Sequence, residues 1–152
     1  MSLAGRVAGV IALCMGIVAA LGAQEHAPPR QLSAAETGCD ATAPAATEPV
    51  YQADSVDRAA RAPYVRVTDL PYRMREVQTG RTMLQFVVDQ QGRVERCSIA
   101  LVEESSPEWT AAVLPELRKA RFDPARKDGR KVRQRVYQVF TYHSDGRSAV
   151  SQ

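Results

Sequence analysis

The residues of this chain with the greatest catalytic potential are few and scattered. The two histidines are His26 and His143. His143-Ser144-Asp145 contains the residue types of a nucleophilic relay, but neighbours in sequence at a strand end do not form the converging arrangement that the relay needs. No group of Cys, His, Asp and Glu has metal-ligand spacing, and the chain has no Gly-rich phosphate loop. We therefore expect neither an enzyme nor a metal or cofactor site.

The most concentrated group of residues with functional potential is a run of positively charged side chains. From Arg118 to Arg135 nine basic residues accompany Asp123 and Asp128, a net charge of +7. This pattern favours an anionic partner, such as an acidic protein segment, phospholipid headgroups or lipopolysaccharide phosphates. The residues expected to face an anion are Arg118, Lys119, Arg121, Arg126, Lys127, Arg130 and Lys131. The alternative is a solvated helix end and strand. Nucleic acid is not expected, because the charges lack an aromatic stacking platform and because the N-terminal segment, residues 1–23, predicts export.

Residues 1–23 have the features of an export segment. Arg6 precedes a charge-free apolar run from Val7 to Ala23. Ala20-Leu21-Gly22 fits the small-x-small rule of signal peptidase, which predicts cleavage. The run of 17 residues is near the lower limit for crossing a bilayer, so an uncleaved single-pass inner-membrane anchor is the alternative. In both cases the remaining chain is expected in the periplasm.

Two cysteines, Cys39 and Cys97, follow the export segment. An even number suits an oxidising compartment. A bridge between them would close a loop of about 58 residues and contribute roughly 4 kcal/mol on the chain-entropy account. The alternative is a buried Cys97 in a strand and a free thiol at Cys39. The sequence leaves both open.

Composition divides the rest of the chain into three parts. Residues 24–62 have a net charge of −3, scattered alanine and proline and no apolar period, which predicts a flexible lead. From residue 63 onward the net charge is +5. A single small domain is expected over residues 63–143, followed by a polar tail at 144–152.

The domain begins with two strand patterns, at 82–89 and 94–102. Gln90-Gln91-Gly92 between them predicts a hairpin turn, with Gly92 as a structural residue that is free to adopt positive φ. Alternation predicts one buried face per strand. Its residues are Leu84, Phe86 and Val88 in the first strand, and Cys97, Ile99 and Leu101 in the second.

A helix follows the hairpin. Ser106 is a capping residue and Pro107 suits the first helical position. Three large residues recur at helical spacing on one core-facing stripe: Trp109, Val113 and Leu117. Pro115 lies inside this pattern and predicts a kink or a break near Leu114.

The chain is expected to leave the helix at Phe122, and Pro124 prevents its continuation. The last strand pattern spans 131–143, where Gln134 and Gln138 interrupt the more apolar face. A strand without a clean apolar face suits the edge of a sheet. The order strand, strand, helix, strand predicts an α+β domain with one helix, kinked or straight, over a small antiparallel three-stranded sheet.

Three blocks in this order carry a family resemblance. They are Gly80 to Val94 with its hairpin, the helix start at Glu103 to Ser106, and the basic, aromatic and proline block Arg118 to Ala125. Together they resemble the TonB C-terminal domain over about residues 70–142. The resemblance implies a non-enzymatic α+β module in the periplasm of a cell with a Gram-negative-type outer membrane.

The resemblance also implies a function. Such domains bind the TonB box, a short peptide segment of outer-membrane transporters, as an added strand. The implied binding residues lie on the last strand: Arg133, Arg135, Tyr137, Val139, Thr141 and Tyr142. An uncleaved N-terminus would add an inner-membrane motor complex as a partner in energy-coupled transport. The alternative is a non-energised envelope protein that uses this fold to bind anionic envelope components or to form a homodimer.

Overall fold

The computed structural model describes residues 28–42, 46–63, 65, 67, 79–143 and 148–151. The helices are α1 (Ala34–Thr37), a 3-10 helix at Ala53–Ser55 and α2 (Pro107–Lys119). The strands are β1 (Arg30–Gln31), β2 (Val50–Tyr51), β3 (Thr79–Val88), β4 (Val94–Glu104), β5 (Arg126–Lys127), β6 (Arg130–Lys131), β7 (Arg133–His143) and β8 (Ser148–Ser151). The α+β class with one main helix, α2, is confirmed.

Within the described residues one sheet joins six strands in the order β1-β4-β3-β7-β2, with β8 paired to β7 as well. β3 lies between β4 and β7, and it is antiparallel to both. β2 runs parallel to β7, so the sheet is mixed. The three predicted strands, β3, β4 and β7, are antiparallel as expected, but the sheet has more than three strands and the parallel β2 makes it mixed. Residues outside the three predicted strands form β1, β2 and β8, which extend the sheet.

The β3–β4 hairpin forms as the alternation predicts. Leu84, Phe86 and Val88 are fully buried. Asp89 Oδ1 accepts hydrogen bonds from the backbone N–H groups of Gln91 and Arg93, each at 2.8 Å. These bonds hold the turn in place.

One position of the second strand departs from the predicted face. Gln85 pairs with Ala100, whereas Val87 pairs with Glu95, so β4 carries extra residues at this point. Such a bulge redirects side chains. Cys97 lies in the bulge and is exposed, although Ile99 and Leu101 are buried as expected. Cys97 is disulfide-bonded to Cys39, with a Cα–Cα distance of 4.8 Å.

Helix α2 begins where its cap predicts. Ser106 Oγ accepts a hydrogen bond from the Trp109 backbone N–H at 3.3 Å, and Pro107 occupies the first turn. The stripe residues Trp109, Val113 and Leu117 are fully buried against the sheet. α2 continues through Pro115 to Lys119, so a break near Leu114 is wrong, whereas the alternative of a kink stays a prediction. Packing of the stripe on both sides of Pro115 outweighs the local cost of one lost backbone hydrogen bond.

The block after α2 joins the helix to the hairpin. Phe122 is buried and its ring lies edge-on to Phe86, with ring centroids 5.5 Å apart. The Phe122 backbone N–H donates to the Gly92 carbonyl at 2.8 Å. Gly92 has φ 76°, and a Cβ at this position would lie 2.0 Å from the Phe122 carbonyl oxygen. Buried Pro124 follows. A side chain at residue 92 would therefore disrupt the joint.

The lead segment has local structure where it is described. Ser33 and Glu36 form a capping box at the start of α1, and Gly38 ends that helix at φ 64°. The disulfide then holds Cys39 against β4. The lead is therefore not structureless over residues 28–42 and 46–63. Elements of two to four residues carry no readable periodicity, and their pairing depends on the sheet.

Some predictions fall outside the described residues. These include the export segment at 1–23 and most of the polar tail, although Ser148–Ser151 form β8. In the part of the chain that is described, no helix has the length and apolarity needed to span a membrane.

Candidate functional site

The outer edge of β7, on the side away from β3, is only partly covered. β2 pairs with Arg133 and Gln134, and β8 pairs with Val139 to Tyr142. Among the described residues, no strand pairs with positions 135–138 on this side. An edge of this kind presents backbone N–H and C=O groups to which another strand can bind.

A groove runs beside this gap. Its volume is about 520 Å³, within the range typical of ligand clefts. One wall comes from Gln52 to Asp54 together with Ala59 and Ala60, and the other from residues 134–137 of β7. The Ala60 backbone N–H donates to Gln134 Oε1 at 2.6 Å. This bond holds the wall at one end of the groove.

Two side chains mark the gap. Tyr137 is 47% exposed and is the exposed large hydrophobic residue in the described structure. It lies opposite Gln85 on β3. Arg135 is half-buried, and its Nε is buried without a hydrogen-bond partner among the described residues. The gap thus offers an aromatic ring and an unused donor to an incoming chain.

Arg133 stabilises the fold and is not exposed at the edge of the sheet. Its Nε and Nη2 donate to the two carboxylate oxygens of Glu95 at 2.6 and 2.7 Å. Its Nη1 donates to the backbone carbonyls of Glu48 and Ala46. The hydrogen bonds to Glu95 raise the pKa of Arg133 further above its ordinary value. Only 9% of its side chain is exposed, so it fastens the lead to β7.

The remaining predicted binding residues differ in exposure. Tyr142 is buried, and its ring packs against Trp109 with centroids 5.5 Å apart. Val139 and Thr141 are half-buried where β7 pairs with β8. Of the six predicted positions, Arg135 and Tyr137 therefore lie in the uncovered stretch.

Sequence reasoning missed one feature of this strand. Gln138 is fully buried, and neither of its amide atoms has a hydrogen-bond partner among the described residues. A buried amide without partners costs roughly 1–3 kcal/mol. The interruption of the apolar face at Gln138 was the available signal, although it indicated only an edge strand.

The seven predicted anion-facing residues do not form one surface. Arg118 lies beside Gly38, and Lys119 pairs with Glu116 at 2.9 Å. Lys127 donates to the Ser55 carbonyl at 2.8 Å. The others lie at the joint after α2 or in the small β5–β6 hairpin: Arg121, Arg126, Arg130 and Lys131.

Of the histidines and the His-Ser-Asp triplet considered in the sequence, the structure describes His143. His143 is exposed at the end of β7. His26, Ser144 and Asp145 lie outside the described residues. Within the described ranges, no three His, Cys, Asp or Glu side chains cluster in a way that could hold a metal ion.

The described strands and α2 form a small α+β domain in which one edge of β7 is partly open. Residues 72–143 match the family described as Gram-negative bacterial TonB protein C-terminal. This domain of the chain therefore belongs to the TonB C-terminal family, as the resemblance indicated. The family is a non-enzymatic, transport-associated group of the Gram-negative envelope, and it interacts with outer-membrane transporters. No curated protein matches the chain.

Proposed function

We propose that this chain is a periplasmic TonB-like protein that binds the TonB-box segment of an outer-membrane transporter by strand addition. It would act in energy-coupled transport or as an accessory to it. The observation that carries the proposal is the stretch 135–138 of β7, which lacks a strand partner among the described residues and borders a groove. An extended peptide in that groove would pair with the β7 backbone.

The two ends of the gap differ in how firmly they are closed. On the β2 side, Arg133 is bonded to Glu95 and to the carbonyls of Ala46 and Glu48. On the β8 side, four residue pairs join the strands. A peptide longer than the gap would displace β8 more readily than β2, because Arg133 Nη1 also holds the segment before β2 through the carbonyls of Ala46 and Glu48. Binding should thus extend from Arg135 toward Tyr142.

A titration of the labelled full chain with a TonB-box peptide tests this proposal. Amide signals of residues 135–142 should shift. Tyr137→Ala should weaken binding roughly tenfold, since buried aromatic side chains dominate peptide interfaces. Gln85→Ala is the matched control, because Gln85 lies directly across from Tyr137 on the neighbouring strand, away from the edge.

Backbone pairing has its own test. A peptide with alternate amides N-methylated on its pairing edge should lose binding, because strand addition depends on main-chain hydrogen bonds. Equal binding of the methylated peptide, or shifts confined to other strands, would contradict strand addition at β7.

A further inference from the structure

The fold assembles arginines that are far apart in the sequence. Arg58 lies opposite Arg126, Arg61 opposite Asp123, and Arg93 opposite Arg121. The first two pairs are joined by backbone hydrogen bonds in both directions, 2.8–3.1 Å long. These five arginines and Arg130 of the adjoining β5–β6 hairpin are called the basic seam below. Three separate segments of the chain contribute to it.

The seam contains two pairs of like charges. Directly opposed residues on antiparallel strands have their Cβ atoms roughly 5 Å apart, and like charges there are destabilising. Arg58 faces Arg126, and Arg93 faces Arg121. Arg58 forms an ion pair with Asp123. Arg93, Arg121, Arg126 and Arg130 form no ion pair with any residue that the structure describes.

The seam is accessible and positive. Arg126 is half-buried and the other five arginines are exposed. The acidic residues in the same segments are Asp57, Asp123 and Asp128. Asp57 accepts a hydrogen bond from the Asp128 backbone N–H at 2.6 Å. Six arginines against three carboxylates leave a net charge of +3 before Lys127 and Lys131 are counted. The repulsion would be relieved by an external anion.

The pairing of arginines favours phosphate over carboxylate. One bidentate guanidinium engages both oxygens of a carboxylate, whereas a phosphate group has further oxygens for a second guanidinium. The two Arg–Arg pairs are five residues apart along the 121–126 segment, so at most about 18 Å. A partner that presents several phosphate groups on one surface therefore fits better than a single anion.

Two kinds of partner present several phosphate groups on one surface: nucleic acid and a lipid membrane. Binding of a single-stranded nucleic acid relies on aromatic side chains that stack with bases. In the described structure the exposed large hydrophobic residue is Tyr137, on β7 and outside the seam. A lipid surface needs no stacking, because cations near anionic headgroups bind through charge alone.

We infer that the basic seam is a docking surface for a membrane with anionic phosphate headgroups, distinct from the peptide-binding edge of β7. Contact through the seam would hold the domain beside a bilayer. Because the seam offers no exposed large hydrophobic residue among those described, the interaction is electrostatic and sensitive to salt.

Vesicle binding by the full chain tests this inference. Partition of the chain is measured onto vesicles of phosphatidylcholine with phosphatidylglycerol and onto vesicles of phosphatidylcholine alone, and the ratio of the two is compared between variants. Any binding by the apolar N-terminal run is common to both kinds of vesicle and cancels in this ratio. Arg93→Gln with Arg121→Gln should lower this ratio about 25-fold, at roughly fivefold for each cation. Raising the salt from about 0.1 to 1 M should abolish the preference, because the Debye length falls from roughly 10 to 3 Å.

The matched control is Arg30→Gln with Arg81→Gln, which removes the same charge from two arginines paired with Glu104 and Glu103. The control should retain most of the anionic preference. Equal losses in both double variants would overturn the inference, because net charge alone would then explain binding. A preference that survives high salt would overturn it as well.

Two competing polyanions complete the experiment. A single-stranded oligonucleotide that binds more tightly than anionic vesicles, with the same loss in the Arg93/Arg121 double variant, would assign the seam to nucleic acid and overturn the lipid assignment. Polyglutamate that binds as tightly as the vesicles would show that phosphate is not preferred, and would also overturn it. Weaker binding of both supports the inference. Thermal melts of both double variants confirm that each is folded.

Discussion

The two outer edges of the sheet are protected in different ways. On the β4 side, β1 pairs with Ala100 and Leu101, and a disulfide fastens the following segment to Cys97. On the β7 side, β2 and β8 pair through short stretches and leave 135–138 without a strand partner among the described residues. Open edges invite unwanted pairing. A disulfide supports the β4 edge, whereas short strand pairings cover part of the β7 edge.

The largest expected effect comes from removing the disulfide at the β4 edge. Cys39→Ser with Cys97→Ser removes a bond between residues 58 apart and should lower the free energy of unfolding by about 4 kcal/mol. Denaturant unfolding measures the loss. Hydrogen exchange should rise in β1 and in β4 near Cys97, while residues 135–138 keep their rate.

Reduction of the unmutated chain is the control for that prediction, because it breaks the bond without changing a side chain's size. A loss below about 1 kcal/mol would show that the short strand and α1 hold the β4 edge unaided. The two edges would then differ less than the structure indicates.

A smaller effect is expected where β7 is fastened. Arg133→Ala removes the bidentate pair with Glu95 and the bonds to the lead. The expected loss is about 2 kcal/mol, because Glu95 is left partly buried without its partner. Peptide binding at the β7 edge should tighten as β2 loosens. Isothermal titration and thermal melts measure the two effects.

The matched control for Arg133 is Arg135→Ala, two residues further along the same strand. The Arg135 Nε has no partner among the described residues, so its loss should cost little stability. If both variants lose equal stability, strand propensity rather than the Glu95 pair fastens this edge.

The smallest effect is expected when acid weakens the capping box of α1, in the segment that covers β4. Hydrogen bonds from Ser33 hold the pKa of Glu36 below its ordinary value of 4.5. A carboxylate with a depressed folded pKa stabilises the fold fully above the unfolded pKa, and that contribution is lost as pH falls through the folded value. The Ser33 amide signal should therefore move with pH in a transition whose midpoint lies below 4.5. Glu36→Gln should remove the transition, and a midpoint at or above 4.5 would contradict it.

Much of the central fold could be predicted from local pattern. The hairpin strands alternate with period two, and the cap at Ser106 with the Trp109 stripe marks α2. Such signals arise within a few neighbouring residues, so the sequence displays them directly. The continuity of α2 across Pro115 could not be predicted in this way, because it depends on the surface that buries Val113 and Leu117.

The candidate site was predictable only in part. The last strand and its edge character follow from its mixed faces, and the family follows from three blocks in order. Which of the six predicted binding positions are accessible does not follow. Arg133 and Tyr142 have the same residue types as accessible positions on the strand, but Glu95 and Trp109 engage them from distant segments.

The sequence by itself determined the α+β order, the capped helix, the Gly92 turn and the TonB C-terminal family, because these depend on local periodicity and on motifs in order. Only the tertiary structure decided which short segments cover each sheet edge, where β7 has no strand partner among the described residues, and which arginines meet in the basic seam. The physical reason is that strand pairing and register join residues far apart in the chain, and two-residue strands carry no pattern of their own.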